Sequence, residues 1–318
     1  MRKKVSCHVI TYNQKDYISQ CIDGILMQKV SFPIEIIIGD DNSIDGTREI
    51  VKSYSEKHPD IIRLNLREVK GSGIPGKENF LSTLKMCTGE YISLCDGDDY
   101  WTDPLKLQKQ VDFLDKNPEY VLCFHPVDIE QSDGTILSDF ITKVPHNYEQ
   151  ITTLAEYGNY IHTPSVLFRN ILNSLPVGMQ HTPIGDYFIY MLLAKHGKIK
   201  QLPDTMAVYR RHPGGVHSLT SEEQKVQKWF LMLYYLIPSF NDQIQKILLN
   251  RLFSTAETII IYHNQLNYNT FKLLHNCLSQ YKILVFWTLY YKRIERQAKN
   301  FVKNRFRLLI KFGNKITS

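Results

Sequence analysis

Tyr91-Ile92-Ser93-Leu94-Cys95-Asp96-Gly97-Asp98-Asp99-Tyr100-Trp101 decides the reading of this chain. Its first half is an apolar run with strand character, and it stops in three carboxylates packed around one glycine. Aspartate continues strands poorly, so the acidic cluster belongs in the loop at the strand's carboxyl end. In open α/β sheets ligands bind in the crevice at that edge. Asp-x-Asp in such a place suits a hard divalent ion that also touches phosphate oxygens. The stretch points to metal-assisted chemistry on a phosphate-bearing substrate. Taken alone, Asp-Gly-Asp-Asp is equally a solvated turn, and the flanking pattern has to decide.

Upstream, strand and helix patterns alternate. Val5–Tyr12 reads as a strand, and residues 16–28 carry apolar side chains at helical spacing (Ile18, Cys21, Ile22, Ile25, Leu26). Ile34–Gly39 is a short apolar strand closed by Asp40-Asp41-Asn42-Ser43, and Thr47–His58 is a helix entered through Asp45-Gly46. Ile61–Leu66 is a third strand. The glycine-rich Gly71-Ser72-Gly73-Ile74-Pro75-Gly76 is irregular, Lys77–Cys87 helical, and Glu90–Cys95 the strand that feeds the acids. This βαβα order predicts a three-layer α/β fold on a mostly parallel sheet. Downstream come a helix at Pro104–Leu114, a strand at Tyr120–Val127, a strand-like Val166–Arg169 and a helix at Asp186–His196. An antiparallel strand or two should extend the sheet. From Ser221 the pattern is helical, placing a boundary near residue 220 between a 1–220 domain and a 221–318 helical region.

The bulk numbers bound the class. A chain of 318 residues with 43% hydrophobic and 22% charged residues can build a sizeable core. The net charge of +6 is regional: from Lys282 to Ser318 ten Lys/Arg face the single acid Glu295, a local +9, which leaves −3 for the remainder. The six cysteines form no C-x-x-C pair and sit in apolar patterns, which predicts buried thiols in a reducing cytosol. The first apolar run is too short for a secretory leader, and none reaches the ~18 residues of a spanning helix. A cytoplasmic protein is expected.

Four segments now stand in a telling order. Val9-Ile10-Thr11-Tyr12-Asn13 ends the first strand, and Ile38-Gly39-Asp40-Asp41-Asn42-Ser43-x-Asp45-Gly46-Thr47 ends the second. Gly89-Glu90-Tyr91-Ile92 opens the strand delivering Asp96-Gly97-Asp98-Asp99-Tyr100-Trp101-x-Asp103-Pro104, and Ile184-Gly185-Asp186-Tyr187 follows. Over roughly residues 4–215 the chain closely resembles the family 2 glycosyltransferases, inverting enzymes of the GT-A fold that use a nucleotide-sugar donor. The resemblance implies a GT-A type, Rossmann-like, mostly parallel sheet flanked by helices, followed here by a C-terminal helical extension.

Thr11, Tyr12 and Asp41 end adjacent strands, so an aromatic wall and a carboxylate acceptor converge where a uracil ring would fit. By the resemblance Thr11, Tyr12, Asn13, Asp41, Lys77 and Asp96 bind the donor nucleotide, a UDP-sugar first among candidates. Asp98, Asp99 and His212 hold Mn2+ or Mg2+ against the diphosphate, and Asp186 is the general base that takes the acceptor's hydroxyl proton. Plainer roles compete: helix capping for Asp40 and Asp186, core packing for Trp101, and a structural part for His212. The family's usual Ala-Arg-Asn is replaced by Lys77-Glu78-Asn79, with Lys77 the cation for the diphosphate. Arg210 reads as a second cation, and His162-Thr163-Pro164-Ser165 as acceptor-side lining. His217 is a weaker metal candidate.

Along the tail, Ile294, Ala298, Phe301, Val302, Leu308, Leu309 and Phe312 share one helical face, and Arg296, Lys299, Lys303, Arg307 and Lys311 the other. With the aromatic run Ile283–Tyr291 this suits a helix lying on an anionic membrane surface, and hence a saccharide or lipid-linked saccharide acceptor of surface polysaccharide synthesis. The alternative is a packed helix with a solvated basic face. No motif for reading nucleic acid accompanies the charge. Against the transferase stand a HAD-type phosphatase, which also places Asp-x-Asp after a strand, and a catalytically degenerate transferase-like scaffold.

Overall fold

The computed structural model describes residues 3–215 and 220–262, together with 272, 274–276, 291, 294 and 295. Apart from Tyr291, Ile294 and Glu295, the predicted tail lies outside the described residues, as does His217. The first half alternates β1 (Val5–Thr11), α1 (Ile18–Leu26), β2 (Ile34–Asp40), α2 (Thr47–Lys57), β3 (Ile62–Leu66), α3 (Lys77–Lys85) and β4 (Tyr91–Asp96). There follow β5 (Tyr100–Trp101), α4 (Lys106–Lys116), β6 (Tyr120–Phe124), β7 (Val127–Glu130), β8 (Ile136–Ser138) and α5 (Ile151–Tyr157). The chain continues through β9 (Leu167–Arg169), α6 (Gly178–His181), α7 (Asp186–Leu193), β10 (Lys198–Gln201), β11 (Ala207–Arg210), α8 (Glu222–Leu236) and α9 (Asp242–Tyr262).

The main sheet runs β10-β6-β9-β4-β1-β2-β3. Strands β4, β1, β2 and β3 are parallel, as are β6 and β10, while β9 runs antiparallel to both neighbours. β1, β2 and β4 are buried almost throughout because helices cover both faces, as expected of parallel strands. Alternate residues feed opposite layers: Ile37, Ile92 and Leu94 join a core with α5, α7, α8 and α9, whereas Ile36, Ile38, Tyr91 and Cys95 join one with α1 and α4. Helix α8 starts at a reciprocal cap, Ser221 Oγ accepting the Gln224 N–H while Gln224 Oε1 accepts the Ser221 N–H. Its buried face, with that of α9, packs into the same core as α7.

One predicted strand is divided. The run 120–127 becomes β6 and β7, which belong to different sheets. Pro126 is the cause, since it has no N–H to donate and ends the ladder. β7 joins the small sheet β5-β11-β7-β8. That sheet holds β5, just after the acidic loop, antiparallel to β11. The acidic loop is therefore gripped by a strand on either side.

Two close approaches explain glycines in the motifs. A Cβ on Gly39 would lie 2.0 Å from Thr83 Oγ1 and 2.4 Å from Asn79 Oδ1, so α3 lies tight on the end of β2. A Cβ on Gly97 would meet Gln14 Oε1 at 2.7 Å and Thr11 Cβ at 3.0 Å, so the acidic loop lies flat on the end of β1.

Candidate active site

The register puts Thr11 beside Asp40 and Ile10 beside Asp96, so the ends of β1, β2 and β4 form one edge. Gly97 N–H donates to Ile10 O (2.9 Å) and Asp41 N–H to Thr11 O (3.1 Å), fixing both loops on the end of β1. Asn13 takes positive φ (52°), a conformation asparagine tolerates, and its Oδ1 accepts the Ile44 N–H at 2.9 Å. Asn13 thus clamps the loop after β2.

At the β2 end Asp41 is buried, and its Oδ1 accepts the Gly71 N–H at 3.0 Å. Arg67 Nε lies 2.9 Å from the same oxygen as an ion pair whose N–H is not aimed along the hydrogen-bond axis. Arg67 also pairs with Glu78. Lys70 Nζ sits 3.6 Å from the centre of the Tyr12 ring, a cation–π contact on a side chain 36% exposed. The glycine-rich segment thus covers both the carboxylate and the aromatic face. Asp40 turns away from the crevice: its Oδ2 accepts from Arg48 Nε at 2.7 Å and from Ser43 N–H at 3.2 Å. It does not cap α2; Asp45 Oδ1 accepts the Thr47 N–H instead.

At the β4 end the acids crowd together. Burial, then the charges of Asp98 and Asp186, push the Asp96 carboxyl up to about 8. His212 Nε2 donates to Asp98 Oδ2 at 3.0 Å, and its ring packs 4.6 Å from that of Tyr17. Asp99 is 1% exposed; its Oδ1 accepts the Arg210 N–H at 2.8 Å, while Oδ2 is buried without a partner. Burial, then Asp98 and Asp96, raise its carboxyl as well.

Arg210 is committed elsewhere than to a ligand. Its guanidinium donates to Asp98 O (2.6 Å), Gln20 Oε1 (2.5 Å) and Glu130 Oε1 (3.1 Å), between the Tyr17 and Tyr100 rings. It fixes the acidic loop by its backbone. Trp101 is core, 2% exposed, with Lys106 Nζ 4.0 Å from its ring centre.

Asp186 opens α7 after Gly185. Its carboxyl is raised by burial, opposed by the Tyr187 N–H, the Asn159 amide and the charge of Lys77. Asn159 Nδ2 donates to Asp186 Oδ2 at 2.9 Å. Lys77 opens α3 and is 7% exposed, with Nζ 3.0 Å from where a Gly185 Cβ would stand. Burial lowers its ammonium to about 8, against the pull of Asp186. Three distant segments therefore meet in one electrostatic neighbourhood: Lys77, the 96–99 loop and Asp186. His162 lies to the side, donating to Asp139 Oδ2 at 3.0 Å and packing on Tyr209.

The donor set fits a hard divalent cation. Crowded carboxylates, two of them pushed toward protonation, an unpartnered buried Asp99 oxygen and an imidazole on Asp98 form a site short of positive charge. Among the described residues, no group of three or more His, Cys, Asp or Glu side chains is drawn together as a ready metal cage. Asn159, Arg67 and the Lys70–Gly71 cover escape a sequence reading, for they lie in loops with no periodic or motif signal.

Comparison with known proteins bears on this geometry. A family model described as Glycosyl transferase family 2 matches residues 6–175. An uncharacterized Mycobacterium tuberculosis protein is 41% identical over 217 residues, which are 68% of this chain and 61% of that protein. The chain thus spans less than two thirds of that relative's length. An Escherichia coli UDP-Glc:alpha-D-GlcNAc-diphosphoundecaprenol beta-1,3-glucosyltransferase is 28% identical over 213 residues, 67% of this chain and 79% of that enzyme. Among solved structures, S. aureus TarS 1–349 superposes with a TM-score of 0.59 at 18% identity, over 92% of this chain and 91% of that one. It shares the fold.

Proposed function

The chain belongs to glycosyl transferase family 2, and on that premise we propose that it is an inverting transferase that moves a sugar from a UDP-sugar to a saccharide hydroxyl. Membership makes it a glycosyltransferase and sets the HAD-type phosphatase aside. The observation that carries the finer reading is the convergence of three distant segments: Lys77 Nζ stands 3.0 Å from where a Gly185 Cβ would be, beside Asp186, whose charge acts on Asp96 at the end of β4. A base, a diphosphate-sized cation and an acid pair in one cleft suit a single displacement at a sugar carbon.

In this reading Asp41, with Arg67, takes the edge of the uracil, Tyr12 its face, and Thr11 and Asn13 shape the wall. Asp96 faces the ribose, and Lys77 the diphosphate. Asp98, Asp99 and His212 would hold Mn2+ or Mg2+, which when bound supplies positive charge against the departing diphosphate. Asp186 accepts the acceptor's O–H proton while that oxygen attacks C1 of the sugar. The bond from C1 to the diphosphate oxygen breaks with its electron pair, and configuration inverts. A raised carboxyl is a stronger base than a solvated one, so burial of Asp186 serves this step.

The proposed acceptor, in surface polysaccharide synthesis, is a lipid-linked saccharide, as the name of the Escherichia coli relative gives for that enzyme. We place the enzyme on the inner membrane face by its basic segment 282–318, in which ten cations face one acid. No described helix is long and apolar enough to cross a membrane. On this view 1–220 is the transferase domain and 221–318 a helical region.

The test is a hydrolysis screen over UDP- and GDP-sugars with and without Mn2+. Mn2+-dependent UDP release from a UDP-sugar is expected. Absence of both turnover and UDP binding in Mn2+ overturns the reading. For the tail, full-length protein should bind anionic vesicles in a salt-sensitive way, and failure at low salt removes the membrane contact.

A further inference from the structure

We infer that Asn159, held in place by Arg251 of α9, is a positioning residue for Asp186. The inference rests on the general-base reading above. The Asn159 amide has a defined orientation: its Oδ1 accepts the Ile161 N–H at 3.1 Å, so its NH2 is the half that meets Asp186 Oδ2 at 2.9 Å. A carboxylate steadied by one donor presents a fixed direction to an acceptor hydroxyl, and misplacement of a reacting group by ~1 Å can cost about 10²-fold in rate.

What fixes Asn159 is the segment before it. Gly158 takes φ +89° and ψ −158°, backbone space that other residues avoid, and a Cβ there would stand 2.8 Å from Arg251 Nη2. Arg251 Nη1 donates to Ala155 O at 2.9 Å and to the Tyr187 hydroxyl at 3.1 Å. That hydroxyl donates in turn to Leu154 O at 2.8 Å, which also accepts the Gly158 N–H at 3.1 Å. The last carbonyls of α5 are thus capped from α7 and α9. Arg251 also lies 5.4 Å from the Trp229 ring centre, which packs edge-on to Tyr187 at 5.2 Å. One guanidinium from the C-terminal helices therefore bonds Tyr187, the neighbour of Asp186, and fills the space beside Gly158, the neighbour of Asn159. Nothing in the motifs of residues 4–215 hints that a residue near 250 supports the base.

The experiment uses the full-length chain and three readouts: UDP release from UDP-glucose in Mn2+, UDP affinity by calorimetry, and the Asp186 carboxyl titration by 13C NMR. The Asp186→Asn spectrum assigns that signal. Asn159→Ala should lower kcat about 10–10²-fold, leave UDP affinity within about twofold, and shift the Asp186 titration upward because a donor to the carboxylate is lost. In an Asp186→Asn background the same substitution should add less than about twofold, since residues acting as a unit are not additive. Arg251→Lys keeps the charge but loses the fork that reaches two acceptors, and should give a weaker form of the same pattern. Gly158→Ala, which displaces Arg251, should resemble Arg251→Lys. An unmoved Asp186 titration in Asn159→Ala, or an equal fall in kcat with and without the Asp186 carboxylate, overturns the inference. If Asp186→Asn keeps parental kcat, the base reading falls first and this one with it; a collapse there with Asn159→Ala unaffected removes this one alone.

Discussion

The two ends of the crevice treat charge in opposite ways. At the β2 end Asp41 already has partners, the Arg67 guanidinium and the Gly71 N–H, and Asp40 has Arg48. At the β4 end Asp96 and Asp99 feel the charge of Asp98, Asp96 also that of Asp186, and both are pushed toward their neutral forms. The nearby cations are engaged or weakened: Arg210 by Glu130 and Gln20, Lys77 by burial. A self-paired end recognises by exchanging partners, whereas an end short of positive charge recognises by importing it. The contrast supports the proposed placing of the base at the first end and of a cation with its diphosphate at the second.

The severest way to break that contrast is Asp98→Ala. It should abolish transfer while leaving Tm equal or higher, because removing one of several like charges relieves repulsion. Near-parental turnover, or indifference of the parent to EDTA, would discard the cation assignment. Asp186→Asn comes next: it keeps shape and capping ability but accepts no proton, so kcat should fall about 10²–10⁴-fold with UDP affinity retained. Calorimetric titration beside the kinetics separates the two. Asp41→Asn probes the self-paired end, where loss of a charged acceptor should raise KM for the UDP-sugar about tenfold with kcat within about twofold. A collapse of kcat there would erase the distinction between the ends.

The last effect is a pH dependence of stability. Asp96 ionises near 8 in the folded chain and at about 3.9 when unfolded. Between those values the folded state holds a proton that the unfolded state has released, so metal-free stability falls as pH rises from about 4 to 8. Denaturant titrations in EDTA across that range should show the slope, and Asp96→Asn or saturating Mn2+ should flatten it. A slope unchanged by both places the proton on another group.

Much of this was legible beforehand because it depends on order along the chain. Apolar runs ending in Asp41 and in Asp96–Asp99 mark strands, and parallel strands bring their ends to one edge, so the crevice follows from alternation alone. The break at Pro126 was also written in the sequence, as a residue without an N–H inside the run Tyr120–Val127. Other residues carry no such mark. Asn159 meets Asp186 across 27 positions, and Arg251 reaches Tyr187 across 64. Arg67 follows a strand as any solvated arginine might. Lys106 looks like a surface lysine on an amphipathic helix, yet it is fully buried against Trp101, Ser93 and Gln110, and burial lowers it to about 8. Partners supplied by tertiary contact leave no local pattern to read.

The cover formed by Lys70 and Gly71 has a kinetic consequence. On the proposed reading, a base stacking on the Lys70 side of Tyr12 and donating to Asp41 Oδ1 would ask for places taken by an ammonium 3.6 Å from the ring centre and by a backbone N–H 3.0 Å from that oxygen. On that reading donor arrival would be an exchange, and the apparent dissociation constant would exceed the intrinsic one by the reciprocal of the uncovered fraction. Observed association rates should level off at high nucleotide concentration, at the rate of uncovering, rather than climb in proportion. The same contacts would compete with the spent nucleotide for both places, so one short loop would slow entry and hasten exit.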